Sequence, residues 1–318
     1  MPAAPERLLL AAPRGYCAGV DRAVQTVERA LELYGPPVYV RKEIVHNKHV
    51  AEQLRERGAV FVDQETEVPE SETVVFSAHG VAPSVHANAE RRTLRTIDAT
   101  CPLVTKVHVE AKKFAAQGYT IVLIGHAGHE EVEGTMGEAP DSIVLIETEE
   151  DVDRLEVEDP ERVAYISQTT LSVDETDAII ARLRERFPSI VGPRTDDICY
   201  ATTNRQAAVR EMAGQCDLVL VIGSKNSSNS NRLVEVARAH GAEAHLIDNE
   251  LLVEEEWLEG KRTVGITSGA SAPEELVQRL VDFFRQRGTR EVSEFEVVQE
   301  DVRFMLPKEI RKAMAATA

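Results

Sequence analysis

One pattern recurs three times along the 318 residues: a cysteine, an amphipathic helix, then a short apolar strand running into a polar loop. Cys17 precedes VDRAVQTVERALELYG, in which Val20, Ala23, Val24, Val27, Ala30 and Leu31 fall at helical spacing before Gly35-Pro36-Pro37 stops the helix. Cys101 is followed by Pro102, a residue favoured in a first helical turn, and by LVTKVHVEAKKFAAQG. Cys199 leads into YATTNRQAAVREMAGQ. The strands that follow read PVYVRKEIV, YTIVLIG and LVLVIG. They end in His46-Asn47, His126-Ala127-Gly128-His129 and Lys225-Asn226-Ser227-Ser228-Asn229.

The offsets are nearly constant. His46, His129 and Ser227 stand 29, 28 and 28 residues after their cysteines. A second strand-to-loop junction follows in each repeat, in VVFSAHGVAP, VAYISQTTLSV and TVGITSGASAP. It places His79, Thr169 and Ser271 at 62, 68 and 72 residues after the cysteine. Repeats of roughly 80–100 residues are whole small domains, since solenoid units are about half that length. Strands alternating with helices predict an α/β fold of parallel sheets covered by helices. The expected division is 1–98 with Cys17, 99–196 with Cys101, 197–286 with Cys199, and a tail at 287–318 with apolar residues around Phe295 and Phe304-Met305-Leu306. Ligands of such sheets lie outside the carboxyl ends of the strands. Three domains about a pseudo-threefold axis would set three cysteines and six polar loops around one central cavity.

Charge and length narrow the function. There are 36 Lys and Arg against 54 Asp and Glu, a net charge of −18, which argues against nucleic acid or a polybasic membrane anchor as partner. A local pocket for a small anion remains compatible with that sign. No apolar run reaches the roughly 18 residues of a spanning helix. Leu8-Leu9-Leu10-Ala11-Ala12 is too short for a signal segment and is broken by Pro13-Arg14, so a cytoplasmic location is expected.

Four cysteines without a secretory segment do not make a disulfide framework, and none has CxxC or CxxH spacing. A lone cysteine is most often a small buried hydrophobe. Three at matching positions, each opening a helix whose dipole favours thiolate, read instead as metal ligands. Soft thiolates select zinc or an iron–sulfur cluster, and three ligands leave one metal position open. A [4Fe–4S] cluster with one free iron is the preferred reading and a three-cysteine zinc site the alternative. Cys216 comes 17 residues after Cys199, where the other repeats have Tyr34 and Gly118 at the helix-to-strand turn. A helix of that length spans about 25 Å, which places Cys216 at the far end of its sheet as a structural residue.

His46, His79, His129, Ser227, Ser228, Asn229 and Ser271 offer imidazole, hydroxyl and amide groups beside helix starts, a set suited to phosphate oxygens. Each alone reads as a satisfied histidine or a turn residue; the matched offsets carry the argument. GxxxxGK[ST] and GxGxxG are both absent, so a nucleotide is not the first choice of anion. Glu130 and Glu133 read as a solvated helix start, and Glu131 as a proton donor.

PRGYCAGVDRAV, VHNKHV, FSAHGV, DATCPLVTKVH, LIGHAGHEEVEGT, QTTLSVDET, DDICYATTNRQ, GSKNSSNSNRL and GASAPEEL together resemble the 4-hydroxy-3-methylbut-2-enyl diphosphate reductase family, from about Leu8 to Leu306. The resemblance implies a trefoil of three α/β domains around an oxygen-sensitive [4Fe–4S] cluster held by Cys17, Cys101 and Cys199. It implies a diphosphate pocket at the seven residues named above, Thr169 binding near the substrate hydroxyl, and Glu131, as proton source, with Thr169 and His129 as the catalytic residues. An allylic diphosphate substrate and an electron donor such as ferredoxin or flavodoxin follow. A non-redox iron–sulfur hydro-lyase on a small phosphorylated substrate is the competing activity.

Overall fold

The computed structural model describes residues 4–317. Positions 1–3 and 318, at the outer edges of the expected first repeat and tail, lie outside them. The first stretch runs β1 (Arg7–Ala12), α1 (Ala18–Tyr34), β2 (Val38–Arg41), α2 (Lys48–Glu56), β3 (Ala59–Val62), β4 (Thr73–Phe76), α3 (Pro83–Arg91) and β5 (Arg95–Asp98). The second runs α4 (Pro102–Ala116), β6 (Thr120–Ile124), α5 (Glu130–Met136), β7 (Ile143–Ile146), α6 (Glu149–Arg154), β8 (Val163–Ser167) and α7 (Val173–Arg186). The third runs α8 (Tyr200–Ala213), β9 (Leu218–Ile222), α9 (Ser228–Ala239), β10 (Glu243–Ile247), β11 (Thr263–Ser268), α10 (Glu274–Gln286), β12 (Glu291–Glu296) and α11 (Lys308–Thr317).

The strands form three sheets, ordered β10-β9-β11-β1-β12, β3-β2-β4-β5 and β7-β6-β8. Every pairing in them is parallel. The α/β class expected from the alternating pattern is what the chain adopts. By compactness it divides into two units, one of Met1–Val20, His46–Glu52 and Tyr200–Arg303, the other of Asp21–Val45, Gln53–Cys199 and Phe304–Ala318.

In the first unit the five-stranded sheet is apolar on both faces, as a parallel sheet between helix layers must be. All five residues of β9, LVLVI, are buried. Alternation then sorts side chains between two cores. Leu8, Leu10, Leu220 and Ile266 pack with Leu276, Leu280 and Phe284 of α10; Leu9, Ala11, Val219 and Val221 pack with Val209, Met212 and Leu233 of α8 and α9. Strand β1 lies between β11 and β12, with Leu9 opposite Gly265 and Ser293. Phe295, read from sequence as tail, is part of β12 and packs on the second of these cores.

The second unit carries the other two sheets. Val122 and Ile124 of β6 face Ile179 and Leu183 of α7, while Ile121 and Leu123 face Val107, Ala111 and Phe114 of α4. Among the described residues no helix is long and apolar enough to cross a membrane.

Candidate active site

The loops at the carboxyl ends of the strands carry the polar residues, and each cysteine turn is tied to one of them. The Cys17 amide donates to the Ala270 carbonyl at 3.2 Å, the Cys101 amide to that of Ala78 at 3.0 Å, and the Cys199 amide to that of Thr169 at 3.0 Å. These acceptors are Thr169 itself and the residues just before Ser271 and His79, so the repeat read from the sequence is also a repeat of hydrogen bonds. Cys17 directly precedes α1, Cys101 is the N-cap of α4, and Cys199 directly precedes α8. All three are half-buried and outside disulfides. The Cys17 sulfur accepts from the Val20 amide at 3.5 Å, in the first turn of α1.

In the second unit Glu131 is 2% exposed and Thr169 5% exposed. Thr169 donates to this carboxylate twice, from its amide to Oε1 at 2.6 Å and from its hydroxyl to Oε2 at 3.0 Å. His129 caps α5 by accepting the Glu131 amide at Nδ1, 3.1 Å away, which leaves the proton of the neutral ring on Nε2. The His79 ring meets that of His129 edge-on, with centroids 5.9 Å apart. Glu133 is exposed, as a solvated helix start should be. Glu130 is not: its carboxylate lies 3.1 Å from His79 Nδ1 and is mostly covered. The reading of Glu130 as a solvated residue is therefore corrected, because a histidine two strands away in sequence turns it inward.

The first unit gathers the hydroxyl and amide groups. Ser227, Asn229 and Ser271 are buried, while Ser228 and His46 are half-buried. Ser227 caps α9, its hydroxyl accepting the Ser230 amide at 3.3 Å. The Asn229 side-chain Oδ1 accepts the Ala270 amide at 2.9 Å, and the Ser271 hydroxyl donates to the His46 backbone carbonyl at 2.9 Å. Asn226 Nδ2 lies 3.4 Å from His46 Nδ1. Gly269 is needed for close approach, since a Cβ there would sit 2.0 Å from the Ser230 hydroxyl. Ser230 and Asn226 were missed as partners in the sequence, although both stand in the Lys225–Asn229 motif or beside it.

Cys216 has a different setting. It lies in the turn before β9, at the opposite end of that strand from the Ser224–Ser227 turn. It packs on the second core of the five-stranded sheet, and burial pushes its thiol up to about 12.

Comparison with known proteins agrees with this layout. The LytB protein family matches residues 8–285. A 4-hydroxy-3-methylbut-2-enyl diphosphate reductase of Nocardia farcinica is 62% identical over 96% of this chain and 91% of its own. One of Rhodococcus opacus is 60% identical over 97% and 92%. The solved E-1-hydroxy-2-methyl-but-2-enyl-4-diphosphate reductase of Plasmodium falciparum superposes with a TM-score of 0.96 at 37% identity, covering 98% of this chain and 99% of that one. With its sheets, its cysteine turns and these relatives taken together, the chain belongs to the LytB family.

Proposed function

We propose that this protein reduces 4-hydroxy-3-methylbut-2-enyl diphosphate to isopentenyl diphosphate and dimethylallyl diphosphate. Two electrons and two protons are taken up and one water leaves. One observation carries the reading: Glu131 is buried against Thr169, whose own carbonyl holds the Cys199 amide, so a protonatable group and a cysteine turn are built as one piece.

Cys17, Cys101 and Cys199 are the ligands of a [4Fe–4S] cluster with one iron left open. Three half-buried thiols at helix starts are a soft donor set that fits it. When bound, such a cluster supplies electrons and a Lewis-acidic iron for the substrate's hydroxyl oxygen.

The chain does the rest. His46, His79, His129, Ser227, Ser228, Asn229 and Ser271 bind the diphosphate, holding the allylic carbon in place so that proximity supplies part of the rate. They are neutral donors in the main, which lets an equally charged product leave. Once Glu131 takes up a proton at Oε2, the Thr169 hydroxyl, 3.0 Å away, turns from donor to acceptor: it receives that proton at Oγ1 as its own hydrogen, now directed at the substrate, moves to the leaving group. The protein works in the cytoplasm with a small electron-transfer protein, of ferredoxin or flavodoxin type, as donor.

The test is anaerobic reconstitution followed by an ultraviolet–visible spectrum, iron and zinc analysis, and turnover with a reduced viologen dye. Brown protein that oxidises the dye only when the diphosphate is added is the expected result. Water loss without an electron donor would make it a hydro-lyase, and a colourless zinc protein would end the redox reading.

A further inference from the structure

The turns before the three cysteines share a second regularity that no part of the reaction uses. Arg22, Lys106 and Arg205 stand five, five and six residues after Cys17, Cys101 and Cys199. Each binds the backbone carbonyls just ahead of a different cysteine. Arg22 donates from Nη1 to the carbonyls of Ala99 and Thr100 at 2.9 and 3.0 Å, ahead of Cys101. Lys106 donates to those of Thr195 and Asp196 at 2.5 and 3.0 Å, ahead of Cys199. Arg205 donates from Nη2 to that of Gly15 at 2.8 Å, ahead of Cys17. The order is cyclic: the helix after the first cysteine serves the second, that after the second serves the third, and that after the third serves the first.

Each cation is held in turn. Arg22 Nε donates to the Met305 carbonyl at 2.8 Å. Lys106 meets the Asp197 carboxylate at 2.9 Å, whose other oxygen accepts the Ser167 amide at 2.9 Å. Arg205 is fully buried and pairs with Glu300 at 3.1 Å. The effect is clearest at Cys101, where both ends of one peptide are fixed. Its carbonyl oxygen, on Thr100, is bound by Arg22, and its N–H, on Cys101, is bound by Ala78. A peptide plane pinned at both ends leaves only the torsion about the Cys101 N–Cα bond, which the helix starting at Pro102 restrains, so the side chain's exit is set. Because one partner is charged, these bonds are of the stronger kind, and that from Arg205 to Gly15 is also buried.

We infer that Arg22, Lys106 and Arg205 are a cyclic set of positioning residues, each presenting one cysteine at the geometry a shared cluster requires. The inference rests on the cluster proposed above. Three ligands that come from distant parts of the chain gain affinity only if their separations are set beforehand, and partners behind metal ligands typically carry 10–100-fold in metal affinity. Cations serve here where neutral donors would not, because one lysine ammonium or arginine fork can gather two or three carbonyls at once.

The experiment measures iron release to a chelator, under anaerobic conditions, from reconstituted wild type and from Arg22→Met, Lys106→Met, Lys106→Arg and Lys113→Met. Lys113 is exposed on the same helix as Lys106 and controls for lost charge. Release about tenfold faster is expected for Arg22→Met and Lys106→Met. Lys106→Arg is expected to restore most of the difference, and Lys113→Met to match wild type. Thermal midpoints of the apoproteins are expected to fall for Arg22→Met and Lys106→Met, whose acceptors lose their partner, so release is measured well below every midpoint, which separates cluster positioning from loss of fold. Rates for both tether variants equal to Lys113→Met, with wild type holding its cluster, would overturn the inference. Wild type that takes up no cluster would instead overturn the proposed function. If the methionine variants do not fold, Arg22→Gln decides: a neutral amide that cannot gather the three carbonyls is expected to release iron faster than wild type, and an equal rate rejects the role.

Discussion

The two ends of each sheet are built from different chemistry. At the carboxyl ends the loops bury polar groups and bind them to one another: Glu131 to Thr169, Asn229 to Ala270, Ser271 to His46. At the amino ends the turns reverse the chain and are tied by structural bonds, such as those from the Arg262 and Thr263 amides to the Asp217 carboxylate. Gly118 adopts a φ of 74° before β6, a conformation suited to glycine, and Cys216 packs among apolar residues before β9. Buried polar groups cost stability unless they are paired, and the pairing at the carboxyl ends leaves them pre-set for a ligand. The residues proposed for the reaction all lie at one end, and no role in it is proposed for the other.

The largest test of that contrast is loss of a cysteine at the carboxyl end. Cys17→Ser, Cys101→Ser and Cys199→Ser are each expected to lose most of the cluster iron and nearly all turnover, read by iron analysis and dye oxidation. A variant that kept both would move its cysteine to the structural class. Next is Glu131→Gln, which keeps the shape of the side chain but removes its proton chemistry. Its kcat is expected to fall about 10²-fold or more while KM and cluster content change little. A rise in KM alone would mean that Glu131 binds rather than transfers a proton.

A smaller effect is expected at Ser228, the first residue of α9 and half-buried. Ser228→Ala should raise KM about tenfold, the scale of one hydrogen bond to a charged group, with kcat nearly unchanged. The smallest belongs to the amino end. Cys216→Ser is expected to leave iron, spectrum and turnover at wild-type values and to cost about 1 kcal/mol in urea unfolding. Because burial holds the Cys216 thiol near 12, alkylation of the native protein at neutral pH should also spare it. Loss of iron from Cys216→Ser would break the contrast between the two ends altogether.

Much of this was legible in the sequence because helix and strand periods are local. The runs after Cys17, Cys101 and Cys199 give α1, α4 and α8, and the matched offsets bring out the polar loops. Pairing between distant segments leaves no such trace. RLLLAA reads as an apolar strand, but nothing in it says that its neighbours are 263–268 and 291–296. Glu130 was misread because its partner, His79, lies 51 residues away. Arg22, Lys106 and Arg205 did leave a signal, their near-constant distance from the cysteines. It passed unnoticed because a cation in a helix usually marks only its solvent face.

The position of β1 has a consequence for how the protein is made. This strand is synthesised first, yet both of its neighbours in the sheet belong to the last third of the chain. Contacts of such long sequence separation close late and slow folding. The hydrophobic RLLLA run must therefore wait, unpaired and sticky, through most of translation, when exposed strand edges favour aggregation. Cys17 lies in the turn after β1 and donates its amide to the Ala270 carbonyl, so that turn cannot be set until the segment after β11 has been made. Insertion of the proposed cluster would thereby have to follow synthesis of residues 263–296, and slowing translation just ahead of that stretch should lower soluble yield before it lowers iron content.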